Sequence, residues 1–257
     1  MITAICNQKG GVGKTTLTAG LAQRLGSPAT PVLVVDMDPQ ANATRILGID
    51  LEDDMFTMLD VMSAPRPSLP EAVRQAIAKP GPGWGGIDVL PSERGLSNRE
   101  MDNSPARESQ LRAALAPLAD TYRHILIDCQ PSLGLLTVNA LTAADQALIV
   151  TEARDFSIAG VNQMLTTIQL VRESYNPNLT LAGIVVNKWQ GNRIDPERQM
   201  QTARDEFGTH LLEVSVPQSE AIARAATQRV PVSDTKDNTR IMEAYQMIAA
   251  RLERTIA

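Results

Sequence analysis

The sequence holds little of what a secreted, metal-bound or membrane-spanning chain needs. Its 257 residues include two cysteines and two histidines, no signal peptide and no apolar run long enough to cross a bilayer. Cys6 and Cys129 stand in the apolar stretches ITAIC and HILIDC. There a free thiol reads as a small core residue of a reduced, cytoplasmic protein. His124 and His210 lie far apart, with no Cys or carboxylate at ligand spacing, so no zinc site is expected. A basic excess is missing too: Lys and Arg number 24 against 29 Asp and Glu, for a formal net charge of -5. Such a chain does not coat nucleic acid by bulk charge. The acidic excess lies before residue 188, and the remainder is neutral and rich in Arg. With no internal repeat and no low-complexity linker, one domain over residues 1–257 is expected.

What is present is an alternation of short apolar runs with amphipathic segments. The pattern predicts strands over 2–7, 31–36, 87–91, 124–129, 146–151, 181–187 and 211–217. It predicts helices near 15–25, 106–119, 133–142, 157–174, 196–206, 219–227 and 238–254. Several strands are β-branched and apolar on both faces, as parallel strands covered by helices require. The expected fold is α/β, a doubly wound, mostly parallel sheet with helices on both faces. PGPGWGG, residues 80–86, reads as a turn-rich surface loop.

The stretch NQKGGVGKTT, residues 7–16, sits between the first strand and the first helix. Gly13, Lys14 and Thr15 fill the end of the pattern G-x-x-x-x-G-K-[ST], in which backbone N–H groups cradle phosphates, the lysine meets the β/γ-phosphates and the hydroxyl serves Mg²⁺. The helix that follows adds its positive N-terminal end. The pattern's first glycine is replaced by Gln8, and beside it stands a second lysine, Lys9. Two further apolar strands end in an acid, VLVVD at Asp36 and ILID at Asp128. Both carboxylates should reach the sheet end that carries the loop, and Mg²⁺ needs such hard oxygen ligands beside phosphates. This places a P-loop nucleotide site on the fold.

KGGVGKTT, VVDMDPQANAT (34–44) and ILIDCQPSLGLLTVNAL (125–141) together resemble the ParA family of partition ATPases, whose loop is the deviant Walker A form. The resemblance runs from residue 2 to the last helix. It implies an ATP hydrolase of slow basal turnover that binds ATP and Mg²⁺ through Gly10, Gly11, Val12, Gly13, Lys14, Thr15 and Thr16. Lys9 is then the residue that crosses a dimer interface to the phosphates held by the partner, and Gly10 and Gly11 allow close approach between subunits. Lys14 and Thr15 keep the phosphate and metal roles. Asp36 and Asp128 lie in or just outside the metal shell, Asp38 orients the attacking water, and Pro39 to Asn42 form a switch segment. Asn187 reads adenine, and Pro217 closes the base pocket through its backbone.

The same resemblance implies a homodimer with ATP at its interface, nucleoid-associated in the cytoplasm, that binds DNA without sequence preference and is released when a ParB-type centromere-binding protein stimulates hydrolysis. The DNA-contacting arginines of the family fall at shifted positions here, which leaves Arg193, Arg224, Arg229 and Arg240 as candidates. Partition of a plasmid or chromosome is the leading reading. Positioning of a protein cargo, such as a chemoreceptor cluster or microcompartment, is the alternative, and a nucleotide-sensing adaptor without turnover disagrees with Asp38. The chain enters its first strand at Ile2, so no N-terminal helix-turn-helix domain is expected. The end IMEAYQMIAARLERTIA, with Ile241, Tyr245, Ile248 and Leu252 in a core-facing stripe, is unlike the lysine-rich membrane helix of MinD-like proteins.

Overall fold

The computed structural model describes residues 1–152, 158–190, 196–236 and 238–254, with the side chains of residues 196, 197 and 199 left aside. Among the described residues the strands are β1 (Ile2–Cys6), β2 (Val32–Met37), β3 (Ile87–Leu90), β4 (His124–Cys129), β5 (Gln146–Glu152), β6 (Thr180–Trp189) and β7 (Leu211–Pro217). They form one sheet in the order β3-β2-β4-β1-β5-β6-β7, with every described pairing parallel. The seven predicted strands are all present, as the doubly wound reading requires.

Alternation along each strand divides the core between the two faces. On β1, Ala4 and Cys6 pack into the apolar layer on one side, while Ile5 packs into the layer on the other. Both cysteines are buried and free. Burial pushes the Cys6 thiol up to about 12 and raises Cys129 as well, so neither is a thiolate near neutral pH.

The helices are α1 (Lys14–Leu25), α2 (Asn42–Ile46), α3 (Met58–Ser63), α4 (Leu69–Gln75), α5 (Gln110–Leu115), α6 (Leu135–Ala143), α7 (Ile158–Ser174), α8 (Pro196–Phe207), α9 (Glu220–Gln228) and α10 (Thr239–Arg254). Helix α1 lies against α10 through one glycine. A Cβ on Gly20 would stand 2.2 Å from the ring of Tyr245, and Tyr245 is buried with Ile241, Ile248 and Leu252. The stripe predicted for the last helix thus covers the back of the helix that carries the loop. No described helix is long and apolar enough to cross a membrane.

Three expectations change. The single helix expected over 106–119 is a 3₁₀ turn at Arg107–Ser109, α5, and a second 3₁₀ turn at Ala116–Leu118. Pro117 lacks the N–H that an α-helix would need there. The segment between β2 and β3 carries α2, α3 and α4, all shorter than two full heptads and therefore weak in period. PGPGWGG is not simply a surface loop: Trp84 is buried among apolar residues, and its indole N–H donates to the Arg229 carbonyl at 3.0 Å.

Candidate functional site

The carboxyl ends of β1, β2, β4, β5 and β6 surround a cavity of about 640 Å³. Gly10, Gly11, Gly13, Lys14, Thr15 and Thr16 of the loop line it with Asp38, Asn187 and Pro217, so residues singled out from four separate stretches of sequence converge on one hollow. Such crevices beyond the strand ends are where open α/β sheets bind ligands.

The loop is built from its glycines and its carbonyl partners. Gly11 and Gly13 hold φ of 76 and 91, which side-chain-bearing residues reach only with strain. At Gly13 the space is closed as well, since a Cβ would fall 2.2 Å from Asn187 Nδ2. Val12 is buried and anchors the loop in the core. Lys14 opens α1, is 6% exposed and donates to the Lys9 carbonyl at 3.3 Å. Asn187 Nδ2 donates to the carbonyls of Val12 at 2.8 Å and Gly13 at 3.4 Å, and Thr16 Oγ1 donates to the Gly13 carbonyl at 3.1 Å. Lys188 Nζ donates to the Gly11 carbonyl. The carbonyls of Lys9, Gly11, Val12 and Gly13 are thus each held by a side-chain donor, which fixes the peptide planes of a loop whose N–H groups can serve an anion.

Asp36 and Asp128 are paired in the register of β2 and β4. Asp36 accepts the Thr44 N–H at 2.8 Å and the Thr44 hydroxyl at 2.7 Å through Oδ2, and the Asp38 N–H at 3.1 Å through Oδ1. Asp128 Oδ1 accepts the Thr18 hydroxyl at 3.3 Å, while its Oδ2 is buried without a hydrogen bond. Burial raises the pKa of both carboxyls, and the Asp36 charge raises Asp128 further, with Thr15 and Lys14 pulling the other way. An orphaned buried carboxylate oxygen beside a second acid, a threonine hydroxyl and a phosphate nest fits a divalent cation. Asp38 is 8% exposed at the cavity wall and folds back as an Asx turn, Oδ1 accepting the Gln40 N–H at 2.9 Å.

Sequence reasoning missed several members of this site. Thr44 fixes Asp36 and accepts the Ser92 N–H at 2.9 Å. Asn7 joins the loop to β5 by donating to the Val150 carbonyl at 2.6 Å and accepting the Lys9 N–H at 3.0 Å. Glu152 and Lys188 line the cavity from the ends of β5 and β6, with Lys188 Nζ 3.9 Å from Glu152 Oε1. Thr44 stands inside the motif VVDMDPQANAT, but its second role appears only in three dimensions. Asn7 opens the stretch NQKGGVGKTT, and Glu152 and Lys188 stand at strand ends with no motif of their own.

Of the arginines, Arg224 faces Glu220 at 3.5 Å on the exposed side of α9, and Arg229, at the left-handed cap of α9, bonds Asp50 at 2.6 Å. Arg240 is exposed at the start of α10, and Arg193 lies outside the described residues.

Residues 1–181 match the family model AAA_31, described as an AAA domain. The chain is 34% identical over 235 residues to the chromosome partitioning protein ParA of Caulobacter vibrioides, covering 90% of this chain and 85% of that protein. Among solved structures it resembles cobyrinic acid a,c-diamide synthase from Mycobacterium smegmatis with bound ADP and magnesium, at a TM-score of 0.82 and 28% identity over 99% of this chain and 94% of that one. It also shares the fold of apo McdA from Cyanothece, at a TM-score of 0.86 and 23% identity over 98% of both chains.

Proposed function

The chain belongs to the ParA/MinD-type family of partition ATPases, and from that premise we propose that it is an ATP hydrolase of DNA partition whose ATP-bound form is a dimer. The observation that carries the reading is that the lysine-bearing loop and Asp38 line one cavity, with the buried Asp36–Asp128 pair in register at the strand ends and Lys14 and Thr15 acting on Asp128. Fold alone would not suffice, because related folds serve unlike chemistries, as the diamide synthase illustrates.

In this reading Lys14 and the loop N–H groups hold the β/γ-phosphates, and Thr15, Asp36 and Asp128 hold Mg²⁺. The metal supplies positive charge across the phosphates as charge shifts in phosphoryl transfer. Asp38 orients the water in line with the terminal phosphate, and its Asx turn keeps the carboxylate at the cavity wall. Lys9 and the glycines Gly10 and Gly11 face a second subunit, so that ATP joins the two. Asn187 and Pro217 bound the base end. Slow turnover alone, raised by DNA and a ParB-type partner, fits a catalytic centre that receives a positive group in trans, an effect worth about 10³ to 10⁵ in rate.

Light scattering of the purified chain with ATP, with ADP and without nucleotide, alongside ATPase rates with and without DNA and partner, tests the reading. A dimer with ATP alone and a rate that rises with both additions is expected. A monomer in all three states, or fast turnover indifferent to DNA and partner, refutes it.

A further inference from the structure

We propose that Lys188 is a positioning residue that fixes the orientation of the phosphate loop's peptide between Gly11 and Val12, acting through the Gly11 carbonyl. The inference deepens the proposed ATP site and rests on it. Lys188 follows Asn187 on β6, and the two consecutive side chains hold three consecutive loop carbonyls: Lys188 that of Gly11, Asn187 those of Val12 and Gly13. In a planar trans peptide the carbonyl and the following N–H point in opposite directions. A donor on the Gly11 carbonyl therefore sets the direction of the Val12 N–H, and a donor on the Val12 carbonyl sets that of Gly13.

The backbone of Lys188 shows what this contact demands. Its φ is 55, a left-handed conformation that costs a side-chain-bearing residue roughly 1–2 kcal/mol and is held only when the surroundings enforce it. That twist at the strand end turns the side chain back over the loop, and Glu152, 3.9 Å from the ammonium, supports it from the neighbouring strand. The ammonium is held against a loop carbonyl at the cavity wall. It acts on the anion through the peptide it orients, alongside Lys14, which secures the Lys9 carbonyl from within.

Three variants separate charge, backbone and length. Lys188→Met removes the donor and keeps the strain, Lys188→Gly removes both, and Lys188→Arg keeps a donor. Binding of fluorescent ATP and ADP analogues to each, and the ¹⁵N–¹H signal of Val12 without nucleotide, are the readouts. Met and Gly should weaken ATP and ADP equally, by about three- to tenfold, since a charge-assisted bond at a partly exposed site is removed. Arg should recover most of that affinity. The Val12 signal should move in Met and Gly and return toward its wild-type place in Arg, while the Gly variant melts no lower than wild type because the strain is gone. A larger loss for ATP than for ADP would mean direct contact with the terminal phosphate and overturn the positioning role. An unmoved Val12 signal with wild-type affinity would overturn it outright. If wild-type protein binds neither nucleotide, the proposed ATP site fails, and the Val12 signal still decides whether Lys188 orients the loop.

Discussion

Asp36 and Asp128 stand side by side at the ends of β2 and β4, paired in register, and of their four carboxylate oxygens only Asp128 Oδ2 is buried without a hydrogen bond. Two buried acids this close resist ionising together. Burial and the Asp36 charge raise Asp128 to about 8, and burial with the nearby Asp38 raises Asp36 to about 6. A carboxyl raised above its unfolded value contributes stability that is complete below the unfolded pKa and is lost as pH rises through the folded one. The metal-free, nucleotide-free protein should therefore melt at falling temperature from about pH 4 to pH 8, by roughly 2–4 °C for each kcal/mol of stability removed. Asp128→Asn should flatten that decline and raise the melting point at pH 8, while reducing Mg²⁺-dependent ATP hydrolysis. Melting curves across pH, with and without Mg²⁺ and ATP, check this.

The two lysines of the loop should fail differently. Lys14 is buried at the cavity and holds the loop's own Lys9 carbonyl, so Lys14→Ala takes a positive charge from the phosphates and loosens the cradle. Tight ATP binding by the monomer should disappear. Lys9→Ala should leave monomer binding within about threefold, since partly exposed charges contribute little locally, and abolish dimerisation and hydrolysis together. Nucleotide binding and light scattering on both variants separate the cases, and normal ATP-dependent dimers of Lys9→Ala would remove the trans role.

Asp38→Ala should bind ATP and dimerise but hydrolyse about 10²- to 10⁴-fold more slowly, the usual worth of a positioned acid–base group. Its buried turn contacts are local, so the fold should survive. A long-lived ATP dimer in single-turnover experiments is the expected signature.

Much of this was legible because strands announce themselves. Seven apolar runs alternating with helices made a parallel sheet, and a parallel sheet forces every strand's carboxyl end to one edge. From that, the meeting of Gly13, Lys14, Asp36 and Asp128 followed without coordinates. What stayed hidden depends on side-chain direction across distant segments. Nothing in VVNKW says that Lys188 turns left-handed and reaches back to Gly11. Nothing in PGPGWGG says that the tryptophan between glycines fills a core gap and caps the end of α9. Short helices such as α2 (Asn42–Ile46) carry too few residues to show a period.

Trp84 yields a prediction of its own. Its ring is 3% exposed, and truncating a buried aromatic costs about 3–5 kcal/mol. Trp84→Ala should lower stability by that order, whereas Trp84→Phe, which keeps most of the ring and gives up the bond to the Arg229 carbonyl, should cost about 1 kcal/mol. Urea unfolding of the two variants measures the difference.

The last prediction concerns DNA, where the proposed function meets an obstacle. Two of the arginines expected to contact phosphates are already engaged, Arg229 with Asp50 at 2.6 Å and Arg224 with Glu220 at 3.5 Å. All four side chains are at least 41% exposed, so each pair is weak, and phosphates can displace the acids at a cost of about 0–1 kcal/mol per pair. Asp50 comes from the acidic stretch IDLEDD, just after α2. An exposed acid on the arginine that should meet DNA lowers affinity for every sequence alike, because phosphates carry no sequence information. Asp50→Asn should therefore strengthen ATP-dependent DNA binding by about two- to fivefold per subunit without preference for any sequence. Arg229→Ala should weaken it and flatten the slope of log affinity against log salt by about 0.9 for each phosphate it no longer neutralises. DNA affinity against salt, with ATP, ADP and no nucleotide, reads both effects. Equal binding in all three nucleotide states would reject the ATP switch, and an Asp50→Asn variant indistinguishable from wild type would place the DNA surface away from Arg229.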